Sequence, residues 1–212
     1  MDSIDSTGIF GIIAFIIYVI LGMIALWGAY CVIMVWMRVS QKRFRNELEQ
    51  DGFLDAIEEP LMAGDFEAAE EICGSDPRAV PQLSLLALHN REVGYAQVKQ
   101  LVLDRFQRDV LADLEFRLSW VYTVIQGAPM VGLLGTVVGM MGAFAKVAEE
   151  ADAGAMAGEI MIALITTASG LAIAIPLVFC TASINVRIRK MEDLVSVGMT
   201  RFMSVLRAAL SK

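Results

Sequence analysis

Histidine occurs once in this chain and cysteine three times, and that scarcity removes several kinds of chemistry at the outset. His89 has no second ligand near it in sequence, so neither a histidine-built metal site nor a Ser-His-Asp arrangement is supported. Cys31, Cys73 and Cys180 show neither paired nor metal-ligand spacing, and no disulfide framework is expected. Basic residues are outnumbered, 17 Lys and Arg against 24 Asp and Glu. A net charge of −7 argues against a nucleic-acid partner, which would need a basic face. No segment carries a convincing period-two strand pattern, and no internal repeat is evident. The stretch GLLGTVVG at 132–139 lacks the GK[ST] of a phosphate-binding loop and opens no strand–helix unit. With no catalytic constellation, cofactor site or metal site to argue from, an enzyme is the least supported class.

The sharpest absence is charge inside long apolar runs. Residues 9–37, 120–145 and 160–186 contain no Asp, Glu, His, Lys or Arg. About 20 apolar residues suffice to cross a bilayer. The composition, 57% hydrophobic, exceeds the roughly 45–50% usual in soluble domains. The chain therefore reads as an all-α membrane protein with three transmembrane helices, the long helices extending into a cytoplasmic helical domain. Residues 1–8 carry Asp2 and Asp5 but no basic residue, and form an outward-facing N-terminus. Without a basic start or a small-residue cleavage site, 9–37 is a retained span rather than a signal peptide. Arg38, Lys42, Arg43 and Arg45 follow it, and Arg187, Arg189 and Lys190 follow the third run. By the positive-inside rule both of those ends are cytoplasmic, with Trp36 placed at the interface.

The remaining boundaries follow. Residues 38–118 form the cytoplasmic domain, 120–148 the second span, 149–159 a short acidic outer loop, 160–184 the third span and 185–212 an amphipathic C-terminal helix. Within 38–118 a break falls near Ala63-Gly64-Asp65, with Asp65 capping a helix over Phe66–Cys73. Gly74-Ser75-Asp76-Pro77 ends that helix, and Glu67, Glu70 and Glu71 are its solvated face. Pro81–Asn90 is another short helix. From about Val93 a long amphipathic helix carries Leu101, Phe106, Val110, Leu114 and Leu118 toward the membrane near Trp120–Tyr122.

Inside the spans, small residues and hydroxyls are patterned. At about 100° per residue, Ala128, Gly132, Gly135, Gly139 and Gly142 fall on one face of the second span. Such a stripe lets helix backbones approach closely in lipid, and Pro129 should kink the helix that carries it. The third span sets Glu159, Ala163, Thr166, Gly170, Ala174, Leu177 and Thr181 on one side, with Thr167 at its edge. Each threonine could simply bond back to a carbonyl one turn earlier. Taken with Thr136 on the second span, they point to a wall facing protein or a wet lumen, covered from lipid by the first span. A wall with no titratable group at depth cannot relay protons alone. Glu159, at the outer rim, is either part of such a pathway or an ordinary carboxylate near a helix start.

GAPMVGLLGTVVGMMGAF, followed by TTASGLAIAIP and a basic exit, resembles the MotA/TolQ/ExbB proton channel family, specifically its three-span ExbB/TolQ branch. The resemblance is strong over the second and third spans and looser over GDFEAAEEIC and LSLLAL. It implies a homo-oligomeric ring, five-fold, in a bacterial inner membrane, enclosing the single spans of an ExbD/TolR-like partner that brings the proton-accepting aspartate. It also implies a TonB-like or TolA-like transducer on the outer side, and makes Thr136 and Thr167 the pore-lining threonines. The helical wheel sets Thr166 more centrally, so both are kept. Such sequences usually carry Glu five residues before the second threonine; Ile162 stands there in this chain, and Glu159 lies three residues earlier. A non-conducting membrane scaffold anchoring a periplasmic protein is the alternative.

Overall fold

The computed structural model describes residues 6–44, 46–149 and 153–210, and every regular element among them is helical. In chain order these are α1 (Ser6–Lys42), α2 (Glu47–Ala63), α3 (Phe66–Gly74), α4 (Ala79–His89), α5 (Tyr95–Phe106), α6 (Ala112–Glu149) and α7 (Ala153–Leu210). A 3-10 turn, Arg91–Val93, precedes α5, and a π-turn, Gln107–Leu111, joins α5 to α6. Three stretches, Gly11–Lys42, Tyr95–Ala145 and Met156–Leu210, are long and apolar enough to cross a membrane. The chain divides into two compact units, Met1–Ile33 with Leu118–Ala182, and Met34–Arg117 with Ser183–Lys212.

In the first unit the helices carry no charge at depth, and their backbone groups are satisfied within each helix, the condition for crossing lipid. Ile17, Leu21, Val121, Val124, Ala163, Ala174 and Leu177 are buried there. Gly28 is where α1 meets both neighbours: a Cβ on it would lie 2.8 Å from Val124 Cγ1 and 2.9 Å from Leu177 Cδ1. Trp27 adds an edge-on contact with Trp120 at 6.3 Å between ring centroids. Tyr18 donates its hydroxyl proton to the Ile162 carbonyl at 3.3 Å. Phe15, Leu26, Met130, Leu134 and Met141 remain exposed, as suits a surface turned to lipid or to further protein.

The second unit is built on short capped helices. Asp65 accepts from the Ala68 N–H at 3.1 Å, the expected N-cap of α3, and Gly64 ends α2 at φ 80°, a left-handed turn that favours glycine. Leu54, Ile57, Leu61, Val80, Leu88, Phe202 and Leu206 fill the core. Gln50 is buried in it and donates to the Leu194 carbonyl at 2.8 Å, against the open backbone of Gly198. Arg201 holds Asp55 at 2.5 Å and Glu58 at 3.0 Å; exposed pairs of this kind add little stability. Burial, with the Glu70 carboxylate adding to it, pushes the Cys73 thiol up to about 12. Folded Cys73 should therefore stay unreactive toward iodoacetamide from neutral pH to about pH 9, whereas unfolding exposes a thiol with an ordinary pKa of about 8.5. Peptide-level mass spectrometry of native and urea-unfolded protein checks this, and pH-dependent labelling of Cys73 itself in the native chain would refute it.

Several boundaries differ from the sequence reading. Helix α7 begins at Ala153, so the second half of the expected 149–159 outer loop is helical; Glu150 and Asp152 lie outside the described residues. The stretch AGAMAGE is rich in alanine, the strongest helix former, and its glycines alone do not stop the helix. Helix α6 includes Pro129, and α7 includes Pro176 and runs on past residue 184, the continuation that the sequence allows. The helix expected from Val93 begins at Tyr95, after Gly94 at φ 103°. The π-turn at Gln107–Leu111 interrupts what the sequence pattern reads as one continuous helix.

Candidate functional site

The site is the seam between α6 and α7 in the first unit. A Cβ on Gly132 would lie 2.8 Å from the Thr166 carbonyl oxygen and 3.0 Å from Thr167 Cα. One on Gly139 would meet Ala163 Cβ at 2.5 Å, and one on Gly170 would meet the Ala128 carbonyl oxygen at 2.5 Å and Pro129 Cα at 3.3 Å. Gly135 faces the Thr166 side chain directly, and Gly142 is buried along the same stripe. Backbone thus lies against backbone over several turns, which only small residues permit.

That closeness lets hydroxyls reach across. Thr167 donates to the Gly132 carbonyl at 3.0 Å. Thr166 donates back to Ala163 O at 2.7 Å and also stands 3.1 Å from Gly132 O. A carbonyl has two lone pairs, and in the α6 ladder one of Gly132's faces the Thr136 N–H, so one hydroxyl can be served well. The shorter back-bond assigns Thr166 to Ala163 and leaves Gly132 to Thr167. Thr136, one turn along α6, donates to Leu133 O at 2.6 Å. A hydroxyl that gives its proton to a carbonyl presents only lone pairs outward, and so can accept from a protonated acid or a water.

Exposure sorts the candidates. Thr136 and Thr167 are half-buried, whereas Thr166 is 1% exposed and sealed in the seam. The small-residue face that carries Thr166 is turned to α6, against Gly132 and Gly135, not to an open surface of the chain. Thr181 is 3% exposed, and its hydroxyl has no partner among the described residues. Glu159 is half-buried beside the Gly139 stripe, its carbonyl 3.4 Å from where a Gly139 Cβ would stand. Ile162 is 39% exposed and holds the Tyr18 hydroxyl on its backbone oxygen. Back-bonding to an earlier carbonyl also accounts for Thr123 and Ser169. Sequence reasoning passed over Gln126, an exposed amide on α6. It also missed Gly132 as an acceptor, because a backbone oxygen leaves no mark in a residue pattern. No group of three His, Cys, Asp or Glu suited to a metal ion exists among the described residues.

Residues 86–196, just over half of the chain, match the MotA/TolQ/ExbB proton channel family. A putative biopolymer transport protein ExbB homolog from Methanothermobacter thermautotrophicus is 32% identical over 182 residues, covering 82% of this chain and 63% of its own. The biopolymer transport protein ExbB of Xanthomonas campestris pv. campestris is 47% identical over 68 residues, 31% of this chain and 27% of that protein. The chain therefore spans less than two thirds of the length of either relative. The family match contains the whole α6–α7 seam, and by it the chain belongs to the MotA/TolQ/ExbB proton channel family, a family of multi-pass membrane transport proteins and not of enzymes.

Proposed function

We propose that this chain is the ring-forming subunit of an inner-membrane proton channel, working as a stator with an ExbD/TolR-like single-span partner. Five copies surround the partner's spans, with the N-terminus outward and the C-terminus cytoplasmic. Proton flow is turned into mechanical work on a TonB-like or TolA-like protein, for energised outer-membrane import or envelope maintenance. The observation carrying this reading is the pair of half-buried hydroxyls, Thr136 and Thr167, on helices with no titratable side chain at depth. They supply acceptor lone pairs to a partner aspartate while it is protonated, and donors to it once ionised, by turning from Leu133 O and Gly132 O. Thr166 sets the spacing of the seam behind Thr167. Thr181 lies farther along α7 toward the cytoplasm, and Glu159 gathers protons at the outer rim.

The second reading, a non-conducting scaffold, is favoured by Ile162 standing where the ExbB/TolQ pattern has Glu. Co-expression with a genomic neighbour encoding one span with an aspartate, followed by native mass spectrometry and proton flux into liposomes, separates the two. A five-to-two complex with flux abolished by Asp→Asn in the partner is the expected result. An intact complex that passes no protons would establish the scaffold instead.

A further inference from the structure

A different concavity, in the second unit, has chemistry that conduction does not use. It has a volume of about 680 Å³ and is lined by Arg38, Gln41 and Lys42 of α1 and by Ser75, Asp76 and Arg78 from the α3–α4 connection. Its charges are unequally matched. Arg78 is taken up by Glu49 at 2.7 Å and Asp76 at 3.4 Å, with its guanidinium 4.4 Å over the Phe44 ring. Asp76 in turn accepts from the Arg78 backbone N–H at 2.9 Å. Arg38 and Lys42 have no ion pair or hydrogen bond among the described residues. Four apart on a helix, they lie on one face, separated by about 6 Å of rise. Two uncompensated cations therefore face a cavity whose one carboxylate is already neutralised.

The depth of this cavity is marked independently. Arg38 is the first charge after the apolar run 9–37, two residues past Trp36. Arg187, the first charge after the run 160–186, lies 3.8 Å over the Trp36 ring. Both helices thus pass from apolar to charged at one level, where an interfacial tryptophan sits. We propose that this cavity holds the head group of an anionic phospholipid, its phosphate between Arg38 and Lys42 and its polar end against Gln41 and Ser75. Charge, depth and concavity select a lipid phosphodiester over a free anion, since a lipid's acyl chains hold the phosphate at that level.

Native mass spectrometry of the full chain, released from detergent containing equal phosphatidylglycerol and phosphatidylcholine, tests this. Wild type should retain phosphatidylglycerol in preference by about tenfold or more, from two cations near the surface. Arg38→Gln with Lys42→Gln should bring the ratio to parity. Arg43→Gln, outside the cavity lining, and the charge-conserving Arg38→Lys with Lys42→Arg should both keep the preference. Equal retention of the two lipids by wild type would overturn the proposal. So would an Arg43→Gln loss as large as that of the double variant, which would mean diffuse attraction, or displacement of the lipid by excess inorganic phosphate, which would mean a free-anion site.

Discussion

Replacing Gly170 with leucine will stop the chain from reaching its folded state, and alanine there will already lower its stability measurably. The obstacle is backbone: the Ala128 carbonyl oxygen would stand 2.5 Å from the new Cβ, the carbonyl carbon 3.2 Å and Pro129 Cα 3.3 Å. No rotamer change clears those atoms, so α6 and α7 must separate. At Gly28 the obstacles are methyl groups of Val124 and Leu177, which can turn aside. Overpacking a tight site by one methyl costs about 1–3 kcal/mol. Separation at Gly170 also threatens the Thr167–Gly132 hydrogen bond, one turn away. Gly127→Ala, with nothing within 4 Å of the added carbon, is the matched control and should be neutral or slightly stabilising. Denaturation in mixed micelles followed by circular dichroism gives the comparison. A Gly170→Leu protein that unfolds at the wild-type midpoint would mean that the seam is not as close as described.

The second large effect concerns transport rather than folding. Thr136→Val and Thr167→Val keep shape and remove a hydroxyl, so the proposed ring should still assemble with its proposed partner. On the proposed mechanism each loses a hydrogen bond to the partner's carboxyl group, worth about 1.5–3 kcal/mol. Proton flux should then fall by roughly 10- to 100-fold per substitution. Thr136→Ser and Thr167→Ser keep the oxygen and should restore most of it. Thr166→Val is the informative contrast: its side chain is sealed in the seam and gives its proton to its own helix, so flux per assembled complex should persist. Thr167→Val, by comparison, also gives up the cross-seam bond to Gly132 O and should lose some stability as well as flux. Flux assayed in liposomes with a pH-sensitive dye separates these outcomes, and undiminished flux in both Thr136→Val and Thr167→Val would remove the two threonines from the pathway.

Much of this architecture was legible because charge is so costly in lipid. The uncharged runs announced three spanning helices, and Asp65 announced its cap. The glycine stripe likewise declared a close helix contact, since four-and-three spacing puts those residues on one side of any helix. What stayed hidden depends on partners. The periodicity of the third span gives Thr166 a direction but cannot say whether α6 or open space lies there. Nor does it reveal that Thr167 finds its acceptor on Gly132. Alanine-rich residues 153–159 look like a loop when judged by position between spans, yet their helix propensity makes them the first turns of α7. The grip of Arg201 on Asp55 and Glu58 joins residues more than 140 positions apart, which no local pattern encodes.

The π-turn at Gln107–Leu111 bears on how one long helix keeps a single inner face. Val98, Val102, Val110 and Leu114 are all buried, and their separations are multiples of four. In a regular helix of 3.6 residues per turn each step of four overshoots by about 40°, so that from the first to the last the direction would swing by roughly 160°. A wide turn absorbs about one residue and takes back some 100° of that swing. The extra residue works as a phase corrector, and a repeat that would otherwise spiral out into solvent stays aimed at the core.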